Sequence, residues 1–136
     1  KRILLGKDSS ANVISKSSAR QGGTSNFRAT IEIGKNADGS KVHEECDTLI
    51  LDDYSYSDTI PHNVVNNSSS YLEHEASVSK ISEDQLFYLR SRGLSKTQAT
   101  QRIVMGFLEP FSKELPMEYA VELNQLIKFD RTDSIG

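Results

Sequence analysis

"SSYLEHEASVSKISEDQLFYLRSRG", residues 69–93, changes its period half-way along. In the first half Leu72, His74, Ala76 and Val78 fall on one side of an extended chain, and Tyr71, Glu73, Glu75 and Ser77 on the other. At Ser82 the alternation stops. Ser82-Glu83-Asp84-Gln85 reads as a helix N-cap with Gln at the third helical position, a capping box, and Glu83 and Asp84 suit the positive end of the helix dipole. Gly93 follows as a helix stop. A half-buried strand, a boundary and a capped helix therefore lie in one segment, and they divide the chain.

Upstream of the boundary the sequence is rich in Ser, Thr, Asn, Val and Ile and has no helical period. Short β-prone runs occupy 12–15, 25–33, 42–51, 63–65 and 71–81, separated by turn signals such as Gln21-Gly22-Gly23 and Asn66-Asn67-Ser68. Phe27, Ala29, Ile31 and Ile33 mark one face of the second run. The runs recur at a spacing of about 20 residues, which suits either a meander or sandwich, or a β-helix whose coils each contribute short strands. Downstream, Ser95-Lys96-Thr97-Gln98 is a second capping box, Pro110 limits that helix, and Pro116 suits the first turn of a third. The expected helices are 83–92, 96–108 and 116–129. The fold class is α+β with segregated elements: a β segment over 1–81 and a helical subdomain over 82–136.

Composition narrows the function. Of 136 residues, 16 are Lys or Arg and 19 Asp or Glu, a net charge of -3 that gives no reason to expect nucleic-acid binding. No apolar run reaches the roughly 20 residues that cross a bilayer. Hydrophobic residues make up only 36%, and the chain opens at Lys1 in strand-like sequence; both predict a segment of a longer protein whose core lies partly elsewhere. The single cysteine, Cys46, has no partner in the chain for a disulfide and suits a reducing compartment.

Strand parity puts Val42, Glu44, Cys46, Thr48 and Ile50 on one face. Cys46 is then either a small packing residue or a thiolate ligand and sulfur acceptor. In the opening strand His74 faces inward with apolar neighbours, as a hydrogen-bonded core residue or as a metal or proton group, while Glu73 and Glu75 face outward. Two carboxylates on one face are usually solvated, though they can bind a hard cation or act as acid and base. His43 and His62 have no ligand company of a specific kind. A Cys-His-Glu hydrolase drawn from Cys46, His74 and Glu75 lacks a nucleophile elbow, and CxxC, HExxH and phosphate-loop motifs are absent from the sequence.

"LEHEASVSKISEDQLFYLRSRGLS", together with "NFRATIEI", "ECDTLIL" and "KELPMEYAVELNQLI" in the same order, resembles the SufB/SufD family of iron–sulfur cluster assembly proteins, its SufB branch more than SufD. The resemblance implies a right-handed parallel β-helix segment followed by a C-terminal helical subdomain that docks on the SufC-type ATPase. It also implies a cytoplasmic scaffold, not an enzyme. Its terminal β-strands would pair with a SufD or SufB partner subunit, or in this chain alone with a second copy as a homodimer. A cluster would be held transiently and only in the full assembly. Cys46 matches the family's cysteine associated with sulfur transfer and cluster binding. Glu73, His74 and Glu75 match its Glu-His-Glu, which places Cys46 and Glu75 as metal ligands. Met105, Phe107 and Phe111 are the expected ATPase-docking side chains, at least one of them substantially exposed. Asp58 stands where the family commonly has His, so that position's role does not carry over. A SufD-like accessory subunit without cluster ligands is the alternative.

Overall fold

The computed structural model describes residues 1–129, with side chains through residue 126. The chain forms two compact units, Lys1–Asp84 and the part from Gln85 onward. The first unit holds six strands: β1 (Arg2–Leu4), β2 (Ser10–Ala19), β3 (Thr24–Ile33), β4 (Lys41–Ile50), β5 (Tyr56–Val65) and β6 (Tyr71–Lys80). Successive strands alternate between two sheets, ordered β1-β3-β5 and β2-β4-β6. Every described pair is parallel, which removes the antiparallel meander from the two readings the sequence left open.

Register partners lie close to 30 positions apart. Ser10 pairs with Lys41 and Thr24 with Tyr56, and Lys41 pairs in turn with Tyr71. Each repeat therefore contains two strands, one for each sheet. β4, the middle strand of its sheet, buries Val42, Glu44, Cys46, Thr48 and Ile50, the face that parity predicts. Leu4, Ile31, Ile33, Ala37 and Val42 form one cluster, with Ala11 and Leu72 packed against it. These side chains come from both sheets, so the two inner faces share a core.

The turns stack as the strands do. The Asp8 N–H donates to Asp38 O at 2.7 Å, and Asn67 Nδ2 donates to Lys35 O at 2.9 Å and Asp38 Oδ1 at 2.7 Å. Gly39 takes φ +67, a left-handed conformation in which a side chain would be strained, and that conformation favours glycine at this turn.

β5 is longer than the 63–65 run expected. It also takes in 56–62, with Pro61, which lie outside the β-prone runs expected from the sequence. β5 lies at an edge of its sheet, where one row of backbone groups is unpaired and a missing N–H is tolerated.

Three helices follow: α1 (Glu83–Ser91), α2 (Lys96–Glu114) and α3 (Met117–Phe129). α1 ends as expected at Gly93, in the left-handed region at φ +93. The Gly93 N–H donates to Arg90 O at 3.0 Å and the Leu94 N–H to Leu89 O at 3.4 Å, the paired bonds of a Schellman stop. The capping box of α2 is present: Ser95 Oγ accepts from the Gln98 N–H at 3.2 Å, and Gln98 Oε1 accepts from the Ser95 N–H at 2.9 Å. The expected end of α2 at 108 is corrected, because the helix runs through Pro110 to Glu114. Proline deletes one i→i−4 bond and crowds the carbonyl four residues back. Here that residue is Gly106, and the helix continues past the proline for four more residues. Positions 130–136 of the expected helical subdomain lie outside the described residues.

Candidate functional site

The parallel register of β4 and β6 brings the first candidate group together. Glu44 pairs with His74, and Cys46 with Ala76. Glu44, Cys46 and His74 thus share the inner face, at 0%, 3% and 21% exposure. His74 Nδ1 donates to Glu44 Oε2 at 2.9 Å. The other carboxylate oxygen, Oε1, is buried without a hydrogen-bond partner. One donor atom from each of Glu44, Cys46 and His74 lies within 4.8 Å of the others. In register with Cys46 are Ala76 on β6 and Ser15 on β2.

Burial pushes the Cys46 thiol up to about 11, with smaller contributions from the charges of Glu44, Asp47 and Glu45. At neutral pH it is a protonated thiol. A metal ion bound beside it would favour the thiolate.

The outer face of the same sheet carries a second polar row. Lys16 Nζ donates to Glu45 Oε1 at 2.8 Å and also to Asp47, which accepts from the Ser77 hydroxyl as well. Burial alone would lower the Lys16 pKa, but these hydrogen bonds and charges raise it overall. Burial likewise opposes ionisation of Asp47, and its bonds to Lys16 and Ser77 outweigh that and hold it down. His43 Nδ1 lies 3.3 Å from Glu73 Oε2.

The site residues expected from sequence are therefore split between two faces. Cys46 and His74 come together. Glu73 sits on the outer face with His43, and Glu75 is exposed on that face in register with Glu45. The expected ligand pair of Cys46 with Glu75 is not formed. The two lie an odd 29 positions apart, whereas the β4–β6 register offset is 30, so face parity separates them. Glu44 takes the carboxylate position instead. Sequence reasoning placed it on the Cys46 face but did not pair it with His74; the register offset was the missing signal. Asp58 lies on β5 beside Asn26, in the other sheet, and His62 is exposed on the same strand. Met105, Phe107 and Phe111 are all half-buried, so the expected exposure is not found. Strongly exposed in the second unit are Phe87 (76%) and Met117 (79%), with Tyr88 and Tyr119.

Residues 1–107 match the family of the SufBD core domain, described as SUF system FeS cluster assembly. The chain belongs to the SufBD core family. The match takes in all six strands, α1 and the first part of α2, so it contains Glu44, Cys46 and His74. This SufBD-family chain is 56% identical over 136 residues to the iron-sulfur cluster assembly protein SufB of Bacillus subtilis. It is equally similar, at 56%, to iron-sulfur cluster assembly SufBD family proteins of Staphylococcus saprophyticus and Staphylococcus aureus. In each case all of the chain is covered, and it spans 29% of the relative's length.

Proposed function

We propose that this SufBD-family chain is part of a scaffold subunit on which iron–sulfur clusters are assembled as cargo. The observation that carries the reading is a buried thiol, Cys46, grouped with His74 inside the family's core domain. A cluster normally takes four protein ligands, mostly thiolates. A single cysteine with one imidazole ligates incompletely, which suits a cluster that must leave, and a partner subunit supplies the remaining ligands. On this reading the chain is a binding platform, and nucleotide hydrolysis belongs to its partner. The SufD-like alternative, an accessory subunit without ligands, is disfavoured by the placement of Cys46 among other donor groups.

Two alternating parallel sheets with a repeat near 30 residues suit the coils of a parallel β-helix, and the usual hand of parallel crossovers makes it right-handed. Its last strands, β5 and β6, lie at sheet edges with Ile60, Tyr71 and Val78 exposed. Such edges favour pairing with a SufD or SufB subunit, or with a second copy of this chain. The helices are the proposed dock for a cytoplasmic SufC-type ATPase. The anchors belong to the exposed set, since a hollow of about 760 Å³ is lined by Phe87, Arg90, Leu94 and Lys96 among others.

The test is a graft. This chain replaces the matching part of Bacillus subtilis SufB, and the chimera is expressed in cells lacking their own. Restored activity of a reporter iron–sulfur enzyme, lost on Cys46→Ser, supports the scaffold reading. Full activity with Cys46→Ser assigns the chain to the accessory class.

A further inference from the structure

Glu44 is an uncommon residue for its place. A carboxylate buried to 0% exposure on the middle strand of a sheet is costly unless both oxygens are satisfied. Only Oε2 is, through His74; Oε1 is the one buried side-chain polar atom among the described residues without a partner. It lies in the only group of three metal-ligating side chains found among the described residues, and the three donor types differ: oxygen, sulfur and nitrogen. The outer row is different. Its carboxylates Glu45, Asp47 and Glu73 are already engaged by Lys16, Ser77 and His43.

We propose that Glu44, Cys46 and His74 form a site for one divalent first-row transition-metal ion of borderline softness, bound by this chain alone. Metal–ligand bonds of about 2.0–2.3 Å in tetrahedral geometry place the donors about 3.5 Å from one another. The observed group, with its atoms within 4.8 Å of each other, needs only to contract by rotamer adjustment. The mixed set of one carboxylate, one thiolate and one imidazole suits ferrous iron, zinc or cobalt over calcium or magnesium. Three protein donors leave the fourth position open to water or an incoming sulfur ligand. As the sulfur–metal bond forms, the Cys46 thiol proton passes to solvent, and His74 binds as neutral imidazole with its proton on the nitrogen facing away from the ion. The site shares Cys46 and His74 with the proposed assembly site but needs neither sulfide nor a partner subunit. Glu44 is what it adds.

Cobalt(II) titration of the reduced chain under anaerobic conditions tests this, with circular dichroism confirming the fold of each variant. The expected result is one equivalent of cobalt with a sulfur-to-cobalt charge-transfer band, absent in Cys46→Ser. Glu44→Gln should weaken binding at least about tenfold, the size of effect seen when a metal's supporting carboxylate is lost, while Glu75→Gln leaves it unchanged. Glu44→Cys distinguishes a direct ligand from a residue that only orients His74: a second thiolate on the ion roughly doubles the charge-transfer intensity. A folded wild-type chain without the band overturns the site. So does unchanged affinity in Glu44→Gln, or wild-type intensity in Glu44→Cys. None of these failures touches cluster assembly in the full complex, which is read separately from iron and sulfide content.

Discussion

His74 Nδ1 and Glu44 Oε2 meet at 2.9 Å across one rung of the β4–β6 ladder. The bond gives a fully buried carboxylate its only hydrogen-bond partner, and it holds the imidazole on the face that carries Cys46. The rung is therefore both a stability element and a positioning element, and the two roles separate by mutation.

Removing His74 leaves both Glu44 oxygens buried and unpaired. His74→Ala is expected to destabilise the fold by about 3–5 kcal/mol, as breaking a buried polar pair does. Glu44→Leu with His74→Leu should be close to neutral, since both desolvated groups leave together. Urea midpoints for Glu44→Leu, His74→Leu and the double variant check this, with His74→Ala measured beside them. Additive losses would mean that the rung contributes nothing as a pair.

The Cys46 thiol makes stability fall at high pH. Its folded-state pKa is raised to about 11 from an ordinary 9.0. Between those values the unfolded chain loses the proton while the folded chain keeps it, so stability declines as pH rises from about 9 towards 11. Cys46→Ala lacks that contribution. The expected outcome is that the wild type loses more stability than Cys46→Ala between pH 8 and pH 10, measured by urea unfolding in reducing buffer.

In the helical unit, Ser95 caps α2 and Pro110 lies inside it. Ser95→Ala should cost about 1 kcal/mol by freeing the Gln98 N–H. Pro110→Ala should instead stabilise the helix, because it restores a backbone donor and removes a ring from an exposed position. Its gain is bounded by the roughly 3 kcal/mol that proline costs inside a helix. Thermal unfolding followed by helical circular dichroism reads both, with opposite signs expected.

Much of this was legible from periodicity. The buried face of β4, the Ser95–Gln98 cap and the Gly93 stop are local devices, each written in a few adjacent residues. What escaped were features set by the neighbouring repeat. β5 hid behind Pro61, because only its edge position makes that proline harmless. α2 outran Pro110 and continues to Glu114, where the proline alone predicts a stop. Glu44 remained an ordinary member of a strand face until the offset of 30 put it against His74, and the same offset carried Glu75 to the outer face. Parity along one strand can be read from sequence, whereas parity between strands depends on turn lengths that the sequence does not state.

The central claim is that an iron–sulfur cluster is built at Cys46 on the inner face. Its most direct test is anaerobic reconstitution of the full-length protein carrying this segment, with the ATPase and partner subunit proposed for it. Iron and acid-labile sulfide are counted per complex for the wild type, Cys46→Ala and Glu75→Gln. The account predicts cluster in the wild type and none in Cys46→Ala, with ATPase binding retained, and at most a partial loss in Glu75→Gln. A full complement of iron and sulfide in the Cys46→Ala complex would contradict it and leave Cys46 as a packing residue.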